Sequence, residues 1–258
     1  MKRCVIVGGA DITDYKSIKK YLLPDDYYIF CDCGLRHAGS LGVMPHLIVG
    51  DYDSSSPGFD TNVKIGSLNR DLNFRNVKEN VENAADLISW NSKNSECIEN
   101  SSAGSSFSNA EILVIPHEKF DTDTVYGVRE GISRGFRDFL LIGVIGQRLY
   151  HTLANIYILK MLDSMGLHGM IADDYSDMEL ISDGSGYITD DYKCFSLLNI
   201  TGIARKVKIE NARYCYLPGE EITCEYQYAT SNEVLPGKTA RVTVGEGSLL
   251  LIRDRKNK

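Results

Sequence analysis

The chain has 258 residues, 43% of them apolar, and a formal charge of −7, enough for one large domain or two modest ones with a real core. The acidic balance, with no basic stretch interleaved with aromatics, argues against a general phosphate-backbone binder, so no nucleic-acid partner is expected. No apolar run approaches the roughly 20 residues of a membrane span, the four apolar residues at 4–7 are too few for a secretory leader, and seven scattered cysteines give no disulfide framework; the expectation is a cytoplasmic protein with no membrane partner.

In chain order, "RCVIVGGAD" reads as a strand ending in a glycine turn, and "DYKSIKKYL" places Tyr15, Ile18, Tyr21 and Leu22 at helical spacing. "YYIFCD", "HLIVGD", "EILVIP" and "DFLLIGVIG" are short, continuously apolar strands, and "TVYGVREGISRG" and "YHTLANIYILKMLDSMG" are helical. Their alternation predicts an α/β layer with a mainly parallel sheet. "VKENVENAADLISW" suggests an amphipathic helix leading into a polar, Ser/Asn-rich insertion at about 89–109 that reads as a surface loop. From about Gly169 the pattern becomes short β-branched or aromatic runs between turns, as in an antiparallel sandwich or barrel, with "GEG" near the end expected to separate the two strands of a hairpin. The predicted fold class is therefore an α/β N-terminal domain, residues 1–166, followed by an all-β antiparallel sandwich/barrel domain, residues 167–258.

In open α/β sheets, ligands bind beyond the carboxyl ends of the strands. The first strand delivers Gly8, Gly9 and Asp11 there, the second Asp32 and Gly34, and the third Gly50, Asp51 and Asp53. The "EILVIP" strand leads to Lys119, Asp121, Thr122 and Asp123, and "FLLIGVIG" leads to Gly143, Gly146, Arg148 and His151. Glycines permit close backbone approach, carboxylates suit a hard cation such as Mg²⁺, and Lys and Arg suit phosphate. Plainer readings stand beside each element. A D-x-D is an ordinary polar turn, "DTDT" a helix start, His151 a structural histidine and Arg148 a surface ion-pair partner. Cys31 and Cys33 read as small residues at a strand end, since no second pair lies at zinc spacing. Neither a G-x-G-x-x-G fingerprint nor a G-x-x-x-x-G-K-[ST] loop is present.

"GDYDS" (Gly50 to Ser54), "EKFDTDT" (Glu118 to Thr124) and "GVIGQRLYHTLANI" (Gly143 to Ile156) resemble the thiamine pyrophosphokinase (thiamine diphosphokinase) family. Upstream, "CDCGLRHAGSLGVMPHLIVGDYDS" follows that family's order of Asp-x-Gly, Gly-x-x-Pro and Gly-Asp-x-Asp-Ser; downstream, "TSNEV" (Thr230 to Val234) with "ARVTVGEGSLLLI" resembles its thiamine-binding segment. The resemblance implies transfer of the pyrophosphoryl group of ATP to the hydroxyl of thiamine, with Mg²⁺ as cofactor, in a homodimer whose active sites lie at the subunit interface. It implies an ATP- and Mg²⁺-binding catalytic domain at 1–166 and a thiamine-binding domain at 167–258. Carried over by position, the catalytic residues are Asp51, Asp53, Asp121, Asp123 and Arg148, with Asp51, Asp53 and Asp123 as metal ligands. Gly9, Asp32, Gly34, Lys119, Thr122, Arg148 and His151 fall on the ATP and phosphate side, and Ser231 and Asn232 on the thiamine side. Either Asp121 or Asp123 would orient the attacking hydroxyl or accept its proton.

The chain departs from the family pattern at Tyr150, where an aspartate is usual, and at Gln147, His46 and Cys33, where glycine, aspartate and glycine are usual. An aliphatic run, Leu249 to Leu251, stands where some members carry an aromatic. Two alternatives follow: a catalytically weakened thiamine- or nucleotide-binding sensor, and a pyrophosphokinase for a different acceptor.

Overall fold

A computed structural model describes residues 2–50, 110–115 and 121–256. The chain separates into two units, Met1–Asp11 with Leu22–Phe136, and Ile12–Tyr21 with Arg137–Lys258.

In the first unit, β1 (Cys4–Val7), β2 (Tyr27–Cys31), β3 (Leu47–Gly50) and β4 (Glu111–Val114) lie side by side in that order, each parallel to the next. Every residue of β1 and β3 is buried, which is why these strands read as unbroken apolar runs rather than alternating ones. Among the described residues up to this point the helices are α1 (Tyr15–Lys19), which belongs to the second unit, α2 (Ala38–Leu41) and α3 (Asp123–Ser133). A 3₁₀ helix, Asp32–His37, runs directly from β2 into α2. Helix α3 lies close on the sheet at Gly127, where a Cβ would sit 2.7 Å from Cys31 Sγ. At the amino end of the strands, Arg134 binds Glu130, Glu111 and the Tyr27 hydroxyl. His46 stacks on Tyr27 with ring centroids 4.5 Å apart and accepts from the Tyr28 N–H through Nδ1.

In the second unit, β5 (Asp138–Ile142) runs through helix α4 (Leu149–Ser164) into β6 (His168–Ala172), which pairs with β5 in parallel. Antiparallel pairing begins at β7 (Ser176–Thr189), which pairs with β6 and with the long β12 (Thr239–Arg255). β12 also pairs with β8 (Tyr192–Leu198) and β10 (Lys208–Glu210), while β9 (Ile203–Ala204) pairs with β11 (Ile222–Thr223). The fold is thus a mostly parallel sheet region with helices plus an antiparallel region, as the pattern predicts at that level.

The hairpin expected at "GEG" is not formed. Gly245–Gly247 lies inside β12, which pairs with β7 on either side, Val244 opposite Gly184 and Ser248 opposite Ser182. Three residues therefore face Asp183 alone, a bulge that bends the sheet. The bulge is held by the Arg205 carbonyl, which accepts from the Gly245 and Glu246 N–H groups, and by the Arg205 N–H, which donates to Glu246. Gly247 has φ +83° and a Cβ there would lie 2.5 Å from the Ile203 carbonyl oxygen, so glycine marks a backbone approach rather than a chain reversal. Beyond the bend, both halves of β12 supply one core: Val242 and Val244 from one side, Leu249 and Leu251 from the other, closed by Ile181 and Phe195. The aliphatic run at 249–251 is thus core-forming.

The early segment Ile12–Tyr21 joins the second unit through polar contacts. The Asp174 carboxylate accepts from the Thr13 and Asp14 N–H groups at 2.8 and 3.0 Å. Asp14 caps α1 by accepting from Ser17, whose hydroxyl and N–H hold the Asp14 carboxyl below its usual range. Tyr21 donates to the fully buried Asp177. No helix among the described residues is long and apolar enough to cross a membrane.

His168 sits between two carboxylates, Nδ1 2.7 Å from Asp138 and Nε2 3.1 Å from Glu179. The hydrogen bond to Asp138, then that to Glu179, raises its pKa to about 9. The folded protein therefore binds the proton more tightly than the unfolded chain. The resulting stabilisation is complete below pH 6.5 and disappears as pH rises through 9. The side chain is half-exposed, so after solvent screening the contribution is about 1 kcal/mol. In thermal melts, the gap between wild type and His168→Gln should close between pH 6 and pH 10; a gap independent of pH would show that the ring is neutral in the fold.

Candidate active site

The carboxyl ends of β1, β2 and β3 converge within the first unit. Gly34 lies against the end of β1: a Cβ there would be 2.2 Å from the Val7 carbonyl oxygen and 3.0 Å from the Gly8 carbonyl carbon. A Cβ at Gly9 would sit 3.0 Å from Cys33 Cβ, and one at Gly50 would sit 3.4 Å from Asp32 Cα. Asp32 itself has φ +45°, in the left-handed region that side chains seldom occupy. The glycines and the strained aspartate thus make a tight backbone junction where three strands end.

Two residues that sequence reasoning passed over hold the loop after β1. Arg36 donates to the Gly9 carbonyl at 2.8 Å and pairs with Asp11 at 2.6 Å. The buried His37 contacts the Ala10 carbonyl at 2.9 Å through Nε2; since a carbonyl only accepts, that nitrogen carries hydrogen. The signal available was their position, a cation and an imidazole one helical turn after Asp32. His46, one of the departures from the family pattern, lies at the amino end of β3, the opposite end from Gly50.

Beyond β4, Thr122 is the N-cap of α3, its hydroxyl accepting from the Val125 N–H, and Asp123 is the first helical residue. An acidic residue in that first turn complements the helix dipole. Asp121 is ion-paired with Arg129 at 2.7 Å, both side chains about one-third exposed.

In the second unit, the loop leaving β5 begins at Gly143 with φ +62° and ends at Arg148, the N-cap residue of α4, which supplies no side-chain cap. Tyr150 is 67% exposed, and its ring lies 4.6 Å from that of His151. Farther along, Ser231 has φ +54° and its N–H donates to Ser196 Oγ. Asn232 is buried with its amide fully engaged: Oδ1 accepts from the Tyr214 and Glu233 N–H groups, and Nδ2 donates to the Tyr214 carbonyl. Its backbone also pairs both ways with Phe195.

The model of the family described as thiamin pyrophosphokinase, catalytic domain, matches residues 18–170. The chain belongs to this family. Its fold is similar to the thiamine pyrophosphokinase of Bacillus subtilis, with a TM-score of 0.70 at 16% identity over 99% of this chain and 100% of that one. It is also similar to the thiamin pyrophosphokinase of Geobacillus thermodenitrificans, with a TM-score of 0.68 at 19% identity over 99% of each chain. The yeast thiamin pyrophosphokinase gives 0.65 at 13% identity over 99% of this chain and 86% of that one. Curated protein sequences gave no match.

Of the expected thiamin pyrophosphokinase site, Gly9, Asp32, Gly34, Asp121, Thr122 and Asp123 fall in the first unit, and Arg148, His151, Ser231 and Asn232 in the second. Asp51, Asp53 and Lys119 lie outside the described residues, as do the expected amphipathic helix and the Ser/Asn-rich insertion. Among the described residues no three His, Cys, Asp or Glu side chains form a group that could hold a metal ion; of the expected ligands that set contains Asp123 alone.

Proposed function

We propose that this family member transfers the pyrophosphoryl group of ATP to the hydroxyl of thiamine, releasing AMP. The observation that carries the reading is the match to the thiamin pyrophosphokinase catalytic model over residues 18–170. In this reaction the hydroxyl oxygen attacks the β-phosphorus, the bond from that phosphorus to the α-phosphate oxygen breaks, and the hydroxyl proton leaves to a carboxylate or water.

The donor set Asp51, Asp53 and Asp123 consists of hard carboxylate oxygens, the chemistry that suits Mg²⁺. Bound there, the ion would offset charge on the triphosphate and the departing AMP. Gly9 and Gly34 would let phosphate oxygens approach backbone N–H groups, with Asp32 fixing the turn between them. Lys119 and Arg148 would grip phosphate oxygens, Arg148 in a bidentate manner, with Thr122 and His151 beside the nucleotide. Either Asp121, which is ion-paired with Arg129, or Asp123 would orient the hydroxyl or accept its proton. On the thiamine side, Ser231 would meet ligand, and Asn232, its amide consumed internally, would hold that segment in shape. The same proposal divides the chain into an ATP- and Mg²⁺-binding region at 1–166 and a thiamine-binding region at 167–258. It also includes a cytoplasmic homodimer with active sites at the subunit interface.

The exposed Tyr150, in place of a carboxylate, favours a second reading in which the protein binds thiamine or nucleotide without turnover. Incubation with thiamine, ATP and Mg²⁺ followed by mass analysis separates the readings. AMP and thiamine diphosphate in equal amounts are expected; calorimetric thiamine binding without AMP would establish the sensor, and AMP formed only with another alcohol would reassign the acceptor.

A further inference from the structure

We infer that Asn155 is a positioning residue for the loop Gly143 to Arg148, acting through a buried amide that holds the Val144 carbonyl. Asn155 is 4% exposed on α4, and its Nδ2 donates to the Val144 oxygen at 2.7 Å. One turn earlier, the Thr152 hydroxyl accepts from the Gly146 N–H and donates to the Gly146 carbonyl, both at 3.2 Å. Two side chains at i and i+3 thus face the same loop and bind its backbone at three points. The loop leaves β5 through a left-handed glycine and reaches an N-cap that makes no side-chain cap of its own, so these contacts from α4 decide where residues 146–148 lie.

Among the described residues the Asn155 Oδ1 atom is buried without a hydrogen-bond partner. A buried, unsatisfied acceptor is destabilising; a leucine, branched at the same atom but larger, would carry no such acceptor and would instead leave the Val144 carbonyl without its donor. The unpaired Oδ1 thus accompanies the Nδ2 contact that satisfies the Val144 carbonyl and fixes the start of the loop. Arg148 is the residue whose placement depends on it, through the one-turn continuity of loop and helix. The activity arm of the test rests on the pyrophosphokinase reading; the exchange arm does not.

The experiment compares wild type with Asn155→Leu and, as a purely structural control in the same helix, Leu159→Ala. Hydrogen exchange of the peptide covering residues 143–148, without any substrate, should speed up at least about tenfold in Asn155→Leu while peptides of β7 and β12 stay unchanged. In steady state with thiamine, ATP and Mg²⁺, Asn155→Leu should lower kcat/KM for ATP at least about tenfold, with KM for thiamine unchanged, beside a lower Tm from the stranded Val144 carbonyl. Leu159→Ala should lower Tm and leave both KM values alone. Should Asn155→Leu fail to fold, Thr152→Val, partly buried and isosteric, carries the same two readouts at Gly146. Unchanged loop exchange, or a loss of Tm with normal ATP kinetics, overturns the assignment. Absence of AMP from wild type would defeat the proposed reaction, while the exchange result would still decide the role of Asn155.

Discussion

Replacing Arg253 by methionine is expected to lower stability by about 3–5 kcal/mol and Tm by on the order of 10 °C. Asp177 is fully buried and receives three donors: Arg253 Nε at 2.5 Å, the Tyr21 hydroxyl at 2.6 Å and the Tyr192 hydroxyl at 2.8 Å. Arg253 also reaches Glu179 at 2.7 Å through Nη1. Burial works against the guanidinium charge, but Asp177 and Glu179 more than offset it and raise its pKa. The phenols respond in the same sense, burial first and then Asp177 raising both Tyr21 and Tyr192. Removing the guanidinium leaves a carboxylate without its counter-charge in a site no water reaches, which is the costly case for a buried pair. Asp177→Asn should cost less, since Arg253 keeps Glu179 and the amide oxygen still accepts. The double variant Asp177→Asn with Arg253→Met should recover part of the loss, because no charge is then stranded. Denaturant titrations of the four proteins measure the coupling; strictly additive losses would show that the pair does not act as a unit.

Gly34→Ala should abolish most activity and destabilise the first unit together. The added Cβ would meet Val7 O at 2.2 Å and Val7 C at 2.9 Å. Both are backbone atoms of a buried strand end, so no rotamer change relieves the overlap and either β1 or the 3₁₀ helix must move. Overpacking of this kind costs about 1–3 kcal/mol. A shift of about 1 Å in the loop held by Arg36 and His37 is enough to cut turnover about 100-fold. Cys33→Gly is the matched control. It removes a side chain from the same junction without adding an atom against β1 and should leave turnover within a few-fold. A Gly34→Ala protein with normal Tm and normal kcat would show that the junction yields easily and is not a phosphate-approach site.

The parallel strands were legible because burial on both faces removes any reason to alternate: "CVIV" and "LIVG" are apolar throughout. Helix α3 was legible down to its cap, since Thr122 carries the hydroxyl the first turn needs. The hairpin expected at "GEG" failed because a bulge uses the same residues as a turn. Only the pairing of β12 with β7 on both sides distinguishes them. The ion pair of Asp121 with Arg129 is likewise visible only in the fold. The hydrogen bonds of Asn232 to Tyr214 are also beyond any local pattern.

What the sequence determined by itself is the class of fold and the family, because both are written in local signals: apolar runs, helix periodicity, caps, and short motifs in a fixed order. What only the tertiary structure decided is which polar side chains are already spent. Hydrogen bonds such as Asp174 to Thr13, Asp177 to Tyr21 and Asn232 to Tyr214 join residues far apart in the chain. Their partners are set by how strands and loops pack, and no local pattern encodes that.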